Sequence, residues 1–263
     1  MTSQLPDADR IAALVGHPSP WRDIRVVPTT GSTNADLSAR ARAGEAEGAV
    51  LVAMEQTAGR GRLDRRWVSP PGASVSLSLL LRPWPPFPQW GWLSILAGMA
   101  VSSALAELAP DPRAVALKWP NDVLIGGKKV CGILSERIER PDGALAVVGM
   151  GINVALAEDE LPVPTATSLA LAGFAVDQSA IVAAVLTHFA RWYDVWTARG
   201  SLRAEYSARC ASIGADLTVL LEGEPPVTGV GRGVDQFGRL EVASADGIRT
   251  FAVGDVVHAR LRP

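Results

Sequence analysis

The chain has 263 residues, 48% of them hydrophobic, with 25 Lys plus Arg against 27 Asp plus Glu and a formal charge of −2. That length supplies one large core and a smaller satellite, so two unequal domains are expected, and the near-neutral balance argues against a global basic field for nucleic acid. The polar start has no charged-then-apolar leader pattern, and the most apolar stretch, 90–108, is broken by Ser94, Ser102, Ser103 and Glu107, short of the roughly 20 apolar residues that span a bilayer; a cytoplasmic protein is expected.

In chain order, a polar lead-in precedes a short strand at 24–27. Thr29, Thr30, Gly31, Ser32, Thr33 and Asn34 then supply turn and N-cap chemistry for a helix over 35–43, which Gly44 stops. A buried strand at 50–54 delivers the chain into Gln56, Thr57, Ala58, Gly59, Arg60, Gly61 and Arg62, a glycine-punctuated basic loop. Residues 75–81 alternate apolar and serine positions before turning wholly apolar, as in a strand with one partly exposed face. A Pro- and Trp-rich connector leads to Trp92, Ile95, Leu96, Met99 and Ser103 at helical spacing, a core helix that ends by Pro110. Strands are expected at 115–118, 123–125, 130–136 and 145–148, with Gly126 and Gly127 as a tight hairpin turn. A wide apolar stripe marks a helix over 179–199. Beyond Ile213 and Gly214 the texture changes to five short strands, 217–221, 227–234, 239–242, 249–253 and 256–261, the pattern of a small β-barrel.

Three segments carry candidate chemistry. Arg60, Arg62, Arg65 and Arg66 fall within seven positions where Gly59 and Gly61 permit close ligand approach. The segment is either an anion-wrapping loop of guanidinium forks and backbone N–H groups or a solvated basic turn, and Trp67 after it either covers a ligand or joins the core. Lys118, Trp119, Pro120, Asn121 and Asp122 are followed by Lys128, Lys129, Val130, Cys131, Gly132, Ile133 and Leu134. Pairing through the diglycine turn would bring Lys118 and Lys129 to one site, where cations offset a carboxylate driven against a triphosphate. Asp122 can hold magnesium, accept a proton, or simply cap the bend at Pro120 and Asn121; Lys128 reads as solvated. In Val148, Gly149, Met150, Gly151, Ile152 and Asn153, glycines interrupt a strand, as they do at a bulge or where a ligand or another backbone comes close. Cys131 and Cys210 are far apart, and His17, His188 and His258 lack ligand spacing, so neither a disulfide nor a Cys/His metal cage is expected.

In order and spacing, the segments at Gly31–Asn34, Gln56–Arg62 with Trp67, Lys118–Asp122, Lys129–Leu134 and Gly149–Asn153 resemble the biotin protein ligase family, across essentially the whole chain. The resemblance implies an α+β catalytic domain of the class II aminoacyl-tRNA synthetase type, a mixed sheet flanked by helices over 1–213, with a C-terminal SH3-like β-barrel over 214–263. It implies ATP and biotin as substrates, Mg2+, and transfer of biotin to a lysine of a biotin carboxyl carrier domain of an acyl-CoA or pyruvate carboxylase, by a monomer or weak homodimer without nucleic acid or membrane. Ser32, Thr33, Asn34 and Gln56 would line the biotin head-group pocket, joined by Lys129 and Gly132. Gly59, Arg60, Gly61 and Arg62 would form a loop that folds over biotin and its adenylate. Arg62, Arg65, Trp67, Lys118, Asn121 and Asn153 would serve ATP. Lys129, Arg60 and Asp122 are the implied catalytic residues, with Asp122 on magnesium or on the acceptor lysine's proton.

The chain departs from the family in two places. Asp64, in Leu63-Asp64-Arg65, stands where the family loop commonly has glycine, adding a negative charge near the phosphates. About thirty residues precede Gly31, too few for the helix-turn-helix repressor domain of many bacterial relatives, so the monofunctional form is expected. The chemistry suits the residue types: cations lower the repulsion between a carboxylate and the α-phosphate, and a closing glycine loop over 59–66 shields the mixed anhydride from water. A lipoate or octanoate ligase on the same fold would need a longer apolar pocket. A noncatalytic nucleic-acid module made of the arginine loop and the tail is opposed by the weak net charge.

Overall fold

The computed structural model describes residues 6–62, 65–67, 70–175 and 177–258, so Leu63 and Asp64 lie outside the described residues. Helix α1 (Ala8–Val15) opens the chain where only a polar lead-in is expected. Asp7 caps it, and its one buried side chain, Ile11, belongs to the main core. Strand β1 (Asp23–Thr30), helix α2 (Thr33–Arg42), β2 (Ala49–Gln56), β3 (Ser74–Leu81) and helix α3 (Gly91–Leu108) follow. Then come β4 (Val115–Lys118), β5 (Asp122–Ile125), β6 (Lys128–Ile138), β7 (Leu145–Asn153) and helices α4 (Gln178–Arg199) and α5 (Arg203–Ser207). The strands form one mixed sheet, ordered β1-β2-β3-β7-β6-β5-β4, in which β1 and β2 run parallel and the other pairs antiparallel. Gly126 and Gly127 make the β5–β6 turn at φ 55° and 78°, the left-handed pair a two-residue hairpin needs.

Both faces of this sheet are covered. The apolar helix α3 lies between β4–β7 and α4, which accounts for the long hydrophobic stretch as a core helix. The other face carries α2, whose Leu37 and Ala41 pack with Ala49, Leu80, Ile138, Leu145 and Val147. The half-exposed face expected for β3 is therefore wrong, since all eight of its residues are buried. Its serines alternate because they meet buried polar partners: the Ser78 hydroxyl lies 2.6 Å from Asn34 Oδ1 and 2.8 Å from Thr33 Oγ1.

The tail forms β8 (Asp216–Leu220), β9 (Val227–Val234), β10 (Leu240–Ser244), β11 (Gly247–Phe251) and β12 (Asp255–His258), an antiparallel sheet ordered β11-β10-β9-β8-β12. Among the described residues this ladder does not close into the expected barrel: β11 and β12 are only five and four residues long, and each pairs along one side. Leu217, Val219, Val234, Leu240, Val242 and Phe251 extend the same core that fills the larger sheet. Two buried indoles of the first domain fasten the tail, Trp92 Nε1 donating to the Gln236 carbonyl at 2.8 Å and Trp119 Nε1 to Gly238 at 3.0 Å.

Candidate active site

Strand register aligns small residues across the α2 face. Ala53, Ser76, Gly151 and Gly132 are successive partners on β2, β3, β7 and β6, and side chains two apart share a face. The row leaves a shallow trough, and the indole of Trp67 is seated directly on it. A Cβ on Gly132 would come within 2.7 Å of that ring, and one on Gly151 within 2.5 Å. In the next row, a Cβ on Gly149 would lie 2.1 Å from Asn34 Oδ1. The β7 glycines thus sit in an unbroken strand and admit two side chains, one from α2 and one from the arginine loop.

One end of the trough is polar, and its one carboxylate, Glu136, is paired with Arg60. Ser32 is the N-cap of α2, and Gln56 at the end of β2 acts as a further cap: its Oε1 accepts from the Thr33 N–H at 2.8 Å and from Thr33 Oγ1 at 3.1 Å. Asn34 donates from Nδ2 to the Leu134 carbonyl at 3.2 Å and to Glu136 Oε2 at 2.7 Å. Ser32, Thr33 and Asn34 are all buried.

The other end is cationic. Lys118 and Asp122 are cross-strand partners on β4 and β5, joined at 3.0 Å, and Lys129 closes on the second Asp122 oxygen. The Lys129 backbone is clamped by the 165–167 segment, donating to the Thr165 carbonyl and accepting from the Thr167 N–H, both at 2.8 Å. Burial alone raises a carboxyl, but the charges and hydrogen bonds of Lys129 and Lys118 outweigh it and hold Asp122 below its ordinary value of 3.8. With both oxygens engaged, Asp122 does not fit a resident magnesium ligand, and its depressed pKa makes it a poor proton acceptor. Nor do the described residues include any group of three His, Cys, Asp or Glu side chains able to hold a metal.

Because the folded value is the lower one, Asp122 contributes stability that is present above 3.8 and lost as the pH falls through the folded value. Asp122→Asn, which leaves the two ammonium groups without a counter-charge, is expected to cost about 2 kcal/mol at pH 7. That deficit should shrink at pH 3; thermal melts at the two pH values measure it, and a deficit independent of pH would contradict the assignment.

The arginine loop spans the trough. Trp67 N–H donates to the Gly59 carbonyl at 2.9 Å and Gly61 N–H to Arg65 at 2.6 Å. Gly59 is required by close approach, since a Cβ would lie 2.6 Å from the Trp67 carbonyl oxygen. Arg60 reaches Glu136 at 3.1 Å, Arg62 reaches Asn121 Oδ1 and the Gly254 carbonyl, both at 3.4 Å, and Arg65 pairs with Asp255. Arg62, Arg65, Lys118 and Lys129 therefore stand against Asp122 and Asp255, leaving an excess of positive charge suited to a polyphosphate. His258 borders this end: burial and the Lys118 charge hold its imidazole below the ordinary range, and its Nε2 lies 2.9 Å from Ser212 Oγ, which accepts the Trp119 N–H at 3.1 Å. Cys131, whose thiol burial pushes up to about 12, is no nucleophile at neutral pH.

A family profile described as "Biotin/lipoate A/B protein ligase family" matches residues 26–153, and one for "Biotin protein ligase C terminal domain" matches 213–259. The chain is 42% identical over 252 residues to the biotin acetyl-CoA-carboxylase ligase of Mycobacterium tuberculosis, covering 94% of this chain and 93% of that relative. The chain belongs to the biotin/lipoate A/B protein ligase family. It is also similar to the solved biotin protein ligase of Aquifex aeolicus in complex with biotin and ATP, at 28% identity and a TM-score of 0.75 over 92% of this chain and 100% of that one. The biotin protein ligase of Leishmania major in complex with biotinyl-5-AMP is similar at 26% identity and a TM-score of 0.61, over 87% and 98% of the two chains.

For a member of this family, the fold gathers nearly all the sequence-marked residues onto one face. Ser32, Thr33, Asn34 and Gln56 form the polar end; Gly59, Trp67 and Gly132 the middle; Arg62, Lys118, Asn121 and Lys129 the cationic end. Asn121 turns its amide to the Ile133 carbonyl at 2.7 Å, and Asn153, on the trough face beside Ser74, spends its amide on the Thr167 carbonyl at 3.0 Å. Arg65 points instead to the C-terminal sheet. Ser78 and Glu136 carry no signal in the sequence, because a serine in an alternating strand and a carboxylate between serine and arginine look solvent-facing.

Proposed function

We propose that the trough binds biotin and the cationic end binds ATP, so that the chain is an ATP-dependent ligase forming biotinyl-5'-adenylate and passing biotin to a carrier-protein lysine. One observation carries this reading: a row of small residues on which the Trp67 indole rests joins an end rich in neutral hydrogen-bonding groups, its one carboxylate paired with Arg60, to a lysine-lined end. A bicyclic ureido head matches the Thr33, Gln56 and Asn34 cluster. The thioether ring packs beside the Trp67 indole, which itself rests on Gly132 and Gly151, and the valeryl carboxylate is directed towards Lys129. Lys129, Lys118 and Arg62 then offset the charge that builds up as the carboxylate meets the α-phosphate and pyrophosphate leaves. The arginine loop excludes water from the mixed anhydride until the acceptor amine arrives.

Magnesium belongs to this reading as part of the MgATP substrate, held by phosphate oxygens. The division at 213/214 assigns the trough to residues 1–213 and the loop-holding contacts at Gly254 and Asp255 to 214–263. A biotin carboxyl carrier domain of an acyl-CoA or pyruvate carboxylase is the proposed acceptor. The setting is proposed as cytoplasmic, which suits two buried, free cysteines. A monomer or weak homodimer is proposed, and sedimentation at micromolar concentration reads it directly. The polar closure at Thr33 and Gln56 disfavours the longer apolar slot of a lipoate ligase. Exchange of labelled pyrophosphate into ATP should depend on biotin and not on lipoate; lipoate-dependent exchange would reverse the assignment.

A further inference from the structure

Glu136 lies on β6 on the trough face, beyond Gly132 and Leu134, and no step of the proposed reaction uses it. Its carboxylate is held from two directions. From the protein side, Asn34 Nδ2 donates to Oε2 at 2.7 Å, and Asn34, only 5% exposed, is fixed in turn by the Leu134 carbonyl, the Ser78 hydroxyl and its close seat on Gly149. From the loop side, Arg60 Nη2 donates to Oε1 at 3.1 Å and to Oε2 at 3.3 Å. Side-chain exposure falls from 49% at Arg60 to 26% at Glu136, so the more covered carboxylate receives the more exposed guanidinium. A continuous series of polar contacts therefore runs from Gln56 through Thr33, Ser78, Asn34 and Glu136 to Arg60.

We propose that Glu136 is a positioning residue that moors the arginine loop: it fixes Arg60, and through it Gly59 and the Trp67 indole, in register with the polar end of the trough. The proposal rests on the biotin-ligase reading. Because Asn34 is bound on one side of the carboxylate and Arg60 on the other, a head group bound at Thr33 and Gln56 is sensed at the loop without touching Arg60. Glu136 thereby favours ligand capture over the chemical step.

Glu136→Gln keeps an acceptor for Asn34 but removes the charge that holds Arg60, whereas Glu136→Ala removes both. With the full chain, Glu136→Gln is expected to raise the KM for biotin about fivefold in pyrophosphate exchange, the scale of a partly exposed charge pair, with kcat changed less than twofold. Trypsin should cut within 59–66 faster in both variants than in wild type when no ligand is present. In an Arg60→Ala background, Glu136→Gln should have no further effect on KM. An unchanged KM and cleavage rate, or an equal KM increase with and without Arg60, would overturn the mooring role. A wild-type chain without biotin-dependent exchange would overturn the ligase reading instead, while the trypsin comparison, which needs no activity, still judges the Glu136–Arg60 contact.

Discussion

Lys129→Ala is expected to lower biotin-dependent adenylate formation by roughly 100- to 1,000-fold, the scale of losing one preorganised charge-stabilising donor. The side chain starts at the head of β6, with its backbone clamped on both sides by the 165–167 segment, so the ammonium group is delivered by a rigid element. Its partner Asp122 keeps Lys118 at 3.0 Å, and the variant does not strand a buried carboxylate. The melting temperature should therefore move by only a few degrees, consistent with about 1 kcal/mol. Transfer from chemically supplied adenylate should fall much less than its formation, because the charge Lys129 offsets is greatest when carboxylate and triphosphate meet. Pyrophosphate exchange and single-turnover transfer measure the two halves. Exchange within tenfold of wild type would remove Lys129 from the reacting centre.

Gly151→Ala should also impair the enzyme strongly, through binding and by a different route. Its Cβ would sit 2.5 Å from Trp67 Cε2 and Nε1, and the backbone cannot retreat because Gly151 is paired with Ser76 on one side and Gly132 on the other. The indole has to leave the trough. Overpacking of this kind costs about 1–3 kcal/mol where the neighbour cannot move, but Trp67 hangs on a loop and can swing out, so stability should change little. Biotin affinity should drop roughly 30-fold or more with the loss of an aromatic wall, and tryptophan emission should shift to the red. Gly149→Ala is the informative comparison: its Cβ would meet Asn34 Oδ1 at 2.1 Å, disturbing the polar end and leaving Trp67 in place. Equal fluorescence changes in the two variants would contradict the placement of Trp67.

Where local pattern dominates, the sequence predicts the structure closely. The stripe over 179–199 lies within α4, the diglycine turn joins β5 to β6, and Lys118 and Lys129 meet as their hairpin requires. Where tertiary burial decides, it does not. Helix α1 is held by Asp7 and one buried isoleucine docked on later elements, too little for periodicity to register. The serines of β3 alternate like a wet face because both the solvated case and a covered polar layer need hydroxyls at every second position; only the placement of Asn34 and Thr33 distinguishes them. The strand glycines at 149 and 151 do signal close approach, but what approaches is a side chain from 67 or from 34, a pairing invisible without the sheet register. Asp122 shows the same limit: a carboxylate near a bend suggests a cap or a metal ligand until two lysines are seen to occupy its oxygens.

The loop contacts at Gly254 and Asp255 bear on how such ligases can be rebuilt. Because Arg62 and Arg65 grip the turn before β12 while Trp92 and Trp119 grip the turn before β10, the small sheet is no interchangeable cassette. A chimera that borrows this sheet from a relative has to import a matching arginine loop with it, or the hybrid will fold around a catalytic face whose cover no longer fits.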